Sequence, residues 1–291
     1  MKACAIGIED AVSPHLEIGA FEALWANDVS SFKQIRDKLK NAGAQYPSEL
    51  VETSIANDFF TKTMMKLKNV GIDNFGVRIE KTADYPSKLY DAEHPLVLLY
   101  FQGRWDLALA RSIAIVGTRK PSKEGVARTK RLVNGLVKNG FTIFSGLATG
   151  IDTIVHETTI FCGGKTAAVI GTPITKFYPI ENKKLQQEIA KNHLLISQVP
   201  IIRHEQHGPE FTRFFFPERN KTMSALTEAT IIVEAGETSG TLTQAKAALK
   251  QGRKLFILNS NFENSEITWP QKFEQLGAIR VHTFDDILRG G

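Results

Sequence analysis

The amino-acid sequence predicts a doubly wound α/β protein with a mostly parallel sheet, preceded by a small helical domain. From Ser112 onward, apolar runs rich in Ile and Val alternate with helical patterns. These runs are apolar on both faces, as the strands of a parallel sheet are when helices cover both sides. Residues 1–80 show a different pattern, which is helical and contains no comparable series of apolar runs.

The helical domain is predicted from segments that each end in a glycine. SFKQIRDKLKNAG and DFFTKTMMKLKNVG have helical patterns and close on Gly43 and Gly71. Glycine readily adopts the left-handed conformation that ends a helix. We therefore predict a first domain over residues 1–80. The joint is placed near TADYPSKLYDAEHPL, where Pro86 and Pro95 interrupt helical structure.

The second predicted domain covers residues 81–291. LVLLYFQG begins an extended run after the joint. SIAIVG then leads into a helix that ends near Asn139, and FTIFSG leads into a helix that ends near Cys162. Further strands are predicted at KTAAVIG, HLLISQ, ATIIVEAG and KLFILN, with helices between most of them. The alternation predicts the class of the fold but not its strand order.

Composition excludes several classes of protein. The 291 residues are 42% hydrophobic and 23% charged, which is globular composition, and no run approaches the ~18 apolar residues that span a bilayer. The start MKACAIGIEDAVSP lacks the basic and apolar regions of a signal peptide, so we expect a cytoplasmic protein without membrane contact. Cys4 and Cys162 lie far apart and predict neither a disulfide framework nor a zinc site.

Positive charge is concentrated in one segment. The net charge of +5 is by itself weak evidence for an anionic partner. Between Arg119 and Arg131, however, six basic residues accompany a single acid, Glu124. The segment follows the predicted strand SIAIV, so its charge favours an anionic partner at the end of that strand.

Loops that follow the predicted strands carry residues suited to phosphate. In an open α/β sheet, ligands bind beyond the carboxyl ends of the strands, where loops meet helix N-termini. Glycines there let main-chain N–H groups approach an anion, and arginine offers a planar fork of donors. We predict a phosphate-binding rim, with two lysines as further candidates, from Gly117, Thr118, Arg119, Ser122, Ser145, Gly146, Lys176, Lys183, Ser239, Gly240 and Thr241.

The segment FFFPERNKTMSAL, residues 214–226, adds basic donors beside three phenylalanines. A structural interpretation places the rings in the core and lets Asn220 cap the following helix. A functional interpretation is that the Phe-Pro elbow fixes the directions of Arg219, Asn220 and Lys221, which then hold a nucleic-acid backbone. Both interpretations stay open for the rings, one of which could stack on a base.

Residues that resemble catalytic or metal sites have structural interpretations. Neither the GxGxxG fingerprint nor the GxxxxGK[ST] phosphate loop occurs, so we expect no nucleotide cofactor. His156 follows Asp152 by four positions, and we expect a structural contact between the two rather than acid/base machinery. His204, Glu205 and His207 lie close in sequence but lack a fourth ligand with recognisable spacing, so we expect no metal.

Five blocks occur in order along the chain, namely AIVGTRKPSKEG, SGLATGIDTIVH, YPIENKKL, FPERN and IIVEAGETSGTLTQAKAALKQGR. Together they resemble the signature blocks of the DprA/Smf family of bacterial DNA-processing proteins, and the resemblance covers roughly residues 84–288. It implies a Rossmann-like domain that binds single-stranded DNA in a basic pocket, dimerises, and helps load a RecA-type recombinase during uptake of foreign DNA. It implies no chemical reaction.

The resemblance also implies residue roles. Arg119 matches the arginine of the family's VGSR block, and Arg219 and Asn220 match its FPxRN block, both of which are associated with the DNA pocket. Thr118 replaces the usual serine and keeps the hydroxyl. Lys221 stands where the family commonly has arginine, so the charge is kept but the donor fork is lost. The chain ends soon after FDDIL, so we expect it to lack the winged-helix-like C-terminal domain of many members.

Two hypotheses follow. The first is a homodimeric single-stranded DNA-binding protein, not an enzyme, that protects incoming strands and assists recombinase loading in natural transformation and recombination. The alternative is a nucleotide- or DNA-sensing regulatory partner of an effector, in phage defence or a toxin–antitoxin pair, that uses the same pocket. A nucleotide-cleaving enzyme of the same broader fold would need a catalytic glutamate where this chain has Gln244.

Overall fold

The structure is a computed structural model that describes residues 12–290, so Cys4 lies outside the described residues. The helices are α1 (Pro14–Asn27), α2 (Phe32–Ala42), α3 (Thr53–Asn69), α4 (Asp106–Leu109), α5 (Lys123–Lys138), α6 (Ile151–Phe161), α7 (Lys183–Asn192), α8 (Ile201–Gln206), α9 (Pro209–Thr212), α10 (Phe215–Leu226), α11 (Thr241–Lys250), α12 (Trp269–Gln275) and α13 (Phe284–Gly290). The strands are β1 (Gly76–Ile79), β2 (Leu98–Gly103), β3 (Ser112–Val116), β4 (Thr142–Ser145), β5 (Thr166–Ile170), β6 (Leu194–Ser197), β7 (Ala229–Ile232), β8 (Lys254–Leu258) and β9 (Ile279–Val281).

The strands form one sheet in the order β1-β2-β6-β5-β4-β3-β7-β8-β9. All pairs from β6 to β9 are parallel, whereas β2 pairs antiparallel with β6 and β1 antiparallel with β2. The chain adds β4, β5 and β6 on one side of β3 and then β7, β8 and β9 on the other. The order therefore reverses at β3, and doubly wound sheets bind ligands at such a switch point. The predicted α/β fold class is confirmed.

Apolar side chains of alternate strand positions build a core on each face of the sheet. Ile113 and Ile231 pack beneath α5 and α6 on one face, where Leu136 and Val155 complete the cluster. On the other face, a larger cluster extends from the strands to α10, α11 and the N-terminal helices. Because the central strands are covered on both sides, they carry the nearly continuous apolar runs seen in the sequence.

The N-terminal helices end where their glycines predict. Ser31 caps α2 by accepting a hydrogen bond from Gln34 N, and Gly43 follows the helix with φ of 66°. Gly71, two residues after α3, has φ of 74°. Helix α1 is an element that the sequence analysis did not identify. The expectation that residues 1–80 are only helical is incomplete, since β1 within them is a strand.

The division at residue 80 stays a prediction. Strand β1 precedes this position and β2 follows it, yet the two strands pair with each other. Glu22 of α1 also reaches the sheet domain, because its buried carboxylate accepts hydrogen bonds from Tyr100 Oη at 2.6 Å and from the main-chain N of Ile201 and Ile202, each at 2.9 Å. None of the helices in the described residues is long and apolar enough to cross a membrane.

Candidate functional site

A cavity of about 400 Å³ opens beyond the carboxyl ends of β4 and β5, and we call it the edge cavity. Its walls come from the loops after β3, β4 and β5 and from one side of α10. This volume lies in the range of small-ligand sites. The lining residues are Arg119, Gly146, Ala148, Thr149, Ile170, Gly171, Phe177, Tyr178, Pro179, Ile180, Glu181, Phe216 and Arg219.

Arg219 forms a buried part of the cavity wall and is 6% exposed. Its Nη1 donates hydrogen bonds to the main-chain oxygens of Gly146 and of Val169, the latter at 2.6 Å, and its Nε donates to Asn220 Oδ1 at 2.9 Å. Its Nη2 makes no hydrogen bond with residues 12–290 and is the donor that Arg219 can offer to a ligand. Arg219 therefore builds the cavity and also brings positive charge to it.

Asp152 lies beneath the cavity and balances this charge. Burial raises the pKa of its carboxyl, while the nearby Arg219 guanidinium lowers it. Burial likewise lowers the pKa of Arg219, and Asp152 opposes that change. The carboxylate also accepts a hydrogen bond from Ala148 N at 3.3 Å. Asp152 thus holds the loop after β4 and compensates a buried cation.

The predicted contact between Asp152 and His156 is wrong. No hydrogen bond or ion pair joins them within the described residues. The His156 ring turns toward the sheet instead, where its Nδ1 lies 2.7 Å from Thr166 Oγ1 of β5. Burial lowers the pKa of His156 to about 3, so the ring is neutral and acts as a packed core group.

Close packing leaves no room for a side chain at Gly146 or Gly117, and their predicted part in phosphate binding stays a prediction. A Cβ on Gly146 would lie 2.2 Å from Arg219 Nη1, and a Cβ on Gly117 would lie 2.9 Å from the main-chain oxygen of Glu234. Distances this short force neighbouring atoms to move. Glycine at position 146 therefore lets the Arg219 guanidinium reach the cavity wall.

The loop after β3 is fixed at both ends and leaves Arg119 exposed between them. Thr118 N donates to Glu234 O at 2.7 Å, and Thr118 O accepts from Ile151 N at 3.1 Å. Ser122 Oγ caps α5 by accepting from Gly125 N at 2.9 Å and donates to Glu234 Oε2 at 2.8 Å. Arg119 is thus held at the mouth of the edge cavity by a rigid loop, whereas Ser122 faces Glu234.

Several predicted residues have other contacts. Ser145 is buried, and its Oγ donates to Ile115 O at 2.8 Å, so it holds β4 to β3. Lys221 pairs with Glu218 at 2.6 Å and lines a different cavity, between α10 and α11. Asn220 does not cap a helix, because α10 begins at Phe215.

The loop before α11 packs against protein rather than lining the edge cavity. Gly240 O accepts a hydrogen bond from Asn220 Nδ2 at 3.2 Å, which joins this loop to α10. Ser239 Oγ accepts from Thr241 N at 3.2 Å, and Thr241 Oγ1 lies 3.4 Å from Gly117 O. These residues support the loop that carries Arg119, and none of them belongs to the cavity lining.

The aromatic wall of the cavity was largely missed in the sequence. Tyr178 is 43% exposed, and its ring centroid lies 5.5 Å from that of Phe216. Lys183 Nζ lies 5.0 Å above the Phe177 ring, while Lys176 is exposed outside the lining. The block YPIENKKL includes Tyr178, but the sequence analysis predicted only Lys183 of this block as a site residue.

The three phenylalanines of FFFPERN separate into core and cavity. Phe215 is fully buried and packs against Trp25, with ring centroids 5.6 Å apart. Phe214 is half-buried and also lies against Trp25. Phe216 points to the other side and lines the edge cavity. The core interpretation is therefore confirmed for Phe215, and Phe216 is the ring that a bound base could reach.

Comparison with known proteins identifies relatives of this chain. The family model described as DNA recombination-mediator protein A matches residues 77–290. The DNA processing protein DprA of Streptococcus pneumoniae is 36% identical over 204 residues, which are 69% of this chain and 68% of that protein. An X-ray structure of DprA from S. pneumoniae superposes with a TM-score of 0.72 at 26% identity and covers 94% of this chain and 97% of its own. DNA processing protein A from Helicobacter pylori, studied for its single-stranded DNA binding mode, has a TM-score of 0.62 at 27% identity, with 74% of this chain and 94% of its own covered.

Proposed function

The chain belongs to the DNA recombination-mediator protein A family, the DprA/Smf proteins, and on that premise we propose that its edge cavity binds single-stranded DNA. The observation that carries the proposal is the meeting of Arg119, Arg219 and an exposed aromatic wall in one cavity. Cations that contact phosphates and rings that stack on bases are the two components of sequence-tolerant binding to single strands.

The cavity offers distinct groups to the backbone and to a base. Arg119 at the mouth and Nη2 of Arg219 in the wall are the phosphate donors, and Lys183 adds charge beside Phe177. Tyr178 and Phe216 form the surface on which a base stacks. Stacking on such a ring contributes about 1–3 kcal/mol per base and requires no particular base.

The proposed activity is binding, not catalysis. The titratable groups beneath the cavity, Asp152 and His156, are enclosed: the Asp152 carboxylate accepts from Ala148 N and His156 Nδ1 contacts Thr166, while His156 Nε2 is buried without a hydrogen-bond partner in the described residues. Gln244 is fully buried and donates to Thr230 Oγ1 at 3.2 Å, which makes it a packing residue. The family is one of recombination mediators, and this site serves to hold a strand for another protein.

We further propose the partners of this complex. A recombination mediator delivers its strand to a recombinase, so a RecA-type protein is the first candidate, with DNA uptake as the setting. We propose a homodimer as the active form, on the resemblance to the family. We also propose residues 1–80 as a separate domain that is mainly helical and contributes β1 to the sheet. The second candidate partner is an effector protein of phage defence. In that case the edge cavity would sense a nucleotide or DNA and this protein would regulate the effector.

The test is fluorescence anisotropy with a labelled ~20-nucleotide single strand and the matching duplex over a salt series. Each phosphate contact contributes ~0.7 to the slope of log affinity against log salt for a single strand. Arg119→Ala removes a cation at the cavity mouth, and Lys138→Ala is the matched control. Lys138 ends α5, so it lies about 22 Å along the helix from that edge of the sheet.

We expect the parent protein to prefer the single strand and Arg119→Ala to weaken binding while lowering the slope by about one contact. Lys138→Ala should bind like the parent. Equal binding by Arg119→Ala and the parent would remove the edge cavity as the DNA site. Stabilisation against heat by a mononucleotide, with no effect of oligonucleotides, would favour the sensor.

A further inference from the structure

A second cleft opens at the same edge of the sheet, on the other side of β3 from the edge cavity. It has a volume of about 480 Å³ and lies between α5, α13 and the carboxyl ends of β8 and β9. Its floor is apolar and includes Leu132, Val281 and Phe284, while its α5 wall carries Arg128 and Arg131. We call it the far cleft.

The charges that face the far cleft are mainly positive. Arg131 is exposed and forms no ion pair within the described residues. Arg128 is half-buried, its Nη2 lies 3.6 Å from Glu234 Oε2, and its enclosed Nε has no hydrogen-bond partner. The acid of the lining, Glu263, accepts a hydrogen bond from Asn259 Nδ2 at 2.6 Å. Arg131 is therefore the arginine of this lining that has no carboxylate partner within the described residues.

The basic segment from Arg119 to Arg131 connects the two sites. Arg119 lines the edge cavity at its start, and Arg131 lines the far cleft at its end. Positions 128, 131, 132 and 135 follow helical spacing, so they share one face of α5, and all four line the cleft. Binding at the edge cavity alone does not account for the charge on this face.

The distance between the sites suits a strand of DNA. The edge cavity lies over β5 and β4, and the far cleft lies over β8 and β9. In the order of the sheet these positions are four strand spacings apart, or about 19 Å. At the helical rise of roughly 3.4 Å per nucleotide, about six stacked nucleotides cover that distance, and fewer do so when extended.

We propose that single-stranded DNA held in the edge cavity continues over the loop at Arg119–Ser122 and places a second nucleotide in the far cleft. Its phosphate lies at Arg131 and Arg128, and its base lies on the apolar floor beside Phe284. This inference rests on the proposed function, because the edge cavity is where the strand begins. It makes the binding site about six nucleotides long for a stacked strand and gives the charged face of α5 a role.

The test compares a 2-nucleotide with a 20-nucleotide single strand, the shorter one measured by competition. Arg131→Glu reverses charge in the far cleft, and Lys130→Glu is the matched control, since Lys130 is the adjacent exposed residue of the same helix and lies outside the lining. Arg119→Ala reports on the edge cavity. A thermal melt of each variant verifies that it is folded.

We expect Arg131→Glu to weaken binding of the 20-nucleotide strand at least about 5-fold and to reduce its salt slope by about 0.7, the share of one phosphate. Binding of the 2-nucleotide strand should change no more than it does in Lys130→Glu, because this strand reaches one site only, even when it is extended.

Equal losses in Arg131→Glu and Lys130→Glu at both lengths would show a general field effect and overturn the inference. Unchanged 20-nucleotide binding by Arg131→Glu, with weaker binding by Arg119→Ala, would overturn it and leave the proposed function standing. If the parent binds neither strand, the proposed function fails and the far cleft as a strand site fails with it.

Discussion

Replacing Arg219 by methionine tests whether this residue builds the site as well as serving it. The substitution keeps an unbranched apolar stem of comparable reach but removes the donors to Gly146 O, Val169 O and Asn220 Oδ1. Each buried acceptor that loses its partner costs about 1–3 kcal/mol. Asp152 also loses the cation that favours its charged form. The two main-chain acceptors that lose their partner together cost about 2–6 kcal/mol on that scale, and we expect Arg219→Met to lower the free energy of unfolding by about 3–5 kcal/mol.

The assay is urea unfolding at pH 7, followed by the fluorescence of the three tryptophans, all of which are buried in the structure. Arg119→Met is the matched control, because it removes the same charge from an exposed position and should change the free energy of unfolding by no more than about 0.5 kcal/mol. In the double variant Arg219→Met/Asp152→Asn, the neutral amide no longer needs a counter-charge, so we expect the two losses to be less than additive by about 1–2 kcal/mol.

Two results would refute this reasoning. One is a free energy of unfolding for Arg219→Met within about 1 kcal/mol of the parent, because removing a buried guanidinium that donates to three acceptors should lower stability by more than this. The other is equal destabilisation by Arg119→Met. If the prediction holds, loss of DNA binding in an Arg219 variant reports on folding and contact together, and Arg119 is the cleaner probe of phosphate contact.

Three further predictions concern the same site. Unfolded His156 takes up a proton near pH 6.5, whereas burial lowers the pKa of the folded residue to about 3, so the unfolded state binds more protons between these values. The free energy of unfolding should therefore fall as pH drops from 6.5 toward 3, by up to about 5 kcal/mol from this group. In urea titrations at pH 7 and 4.5, the decline in this free energy should be shallower for His156→Gln than for the parent. Equal declines for the two proteins would contradict the prediction. Gly146→Ala places a methyl group against the Arg219 guanidinium and should lower both stability and strand affinity, while Gly236→Ala, whose Cβ meets nothing within 4 Å, should change neither in parallel melts and anisotropy. Tyr178→Ala should weaken strand binding by about 1–3 kcal/mol with little change in melting temperature, because the ring is 43% exposed; a large loss of stability would instead make Tyr178 a packing residue.

The class of the fold, the family and its DNA-processing function were predicted from the sequence and are confirmed. Strands β3 to β8 lie within the apolar runs that predicted them, and α5 and α6 end beside Asn139 and Cys162 as expected. These features depend on local spacing, since apolar periodicity and a glycine after a helix act within a few residues. Strand β1 was missed because GVRI is short and gains its place by pairing with β2.

Local sequence predicted the site only in part. Arg119, Gly146 and Arg219 were predicted and do line the edge cavity, because residues at the carboxyl ends of neighbouring parallel strands converge. Ser145 and Gly146 are adjacent in the chain, yet the serine side chain turns into the sheet and the glycine lines the cavity.

Helical phase separates Arg219 from Lys221 in the same way. Two positions along a helix turn a side chain by about 200°. Arg219 therefore lines the edge cavity, whereas Lys221 pairs with Glu218 in the lining of the cavity between α10 and α11. The sequence alone determined which residue types reach this edge of the sheet. Which of them line the edge cavity depends on tertiary contacts, because the strand order and the hydrogen bonds of Arg219 to Gly146 O and Val169 O join segments that lie 73 and 50 residues apart in the chain.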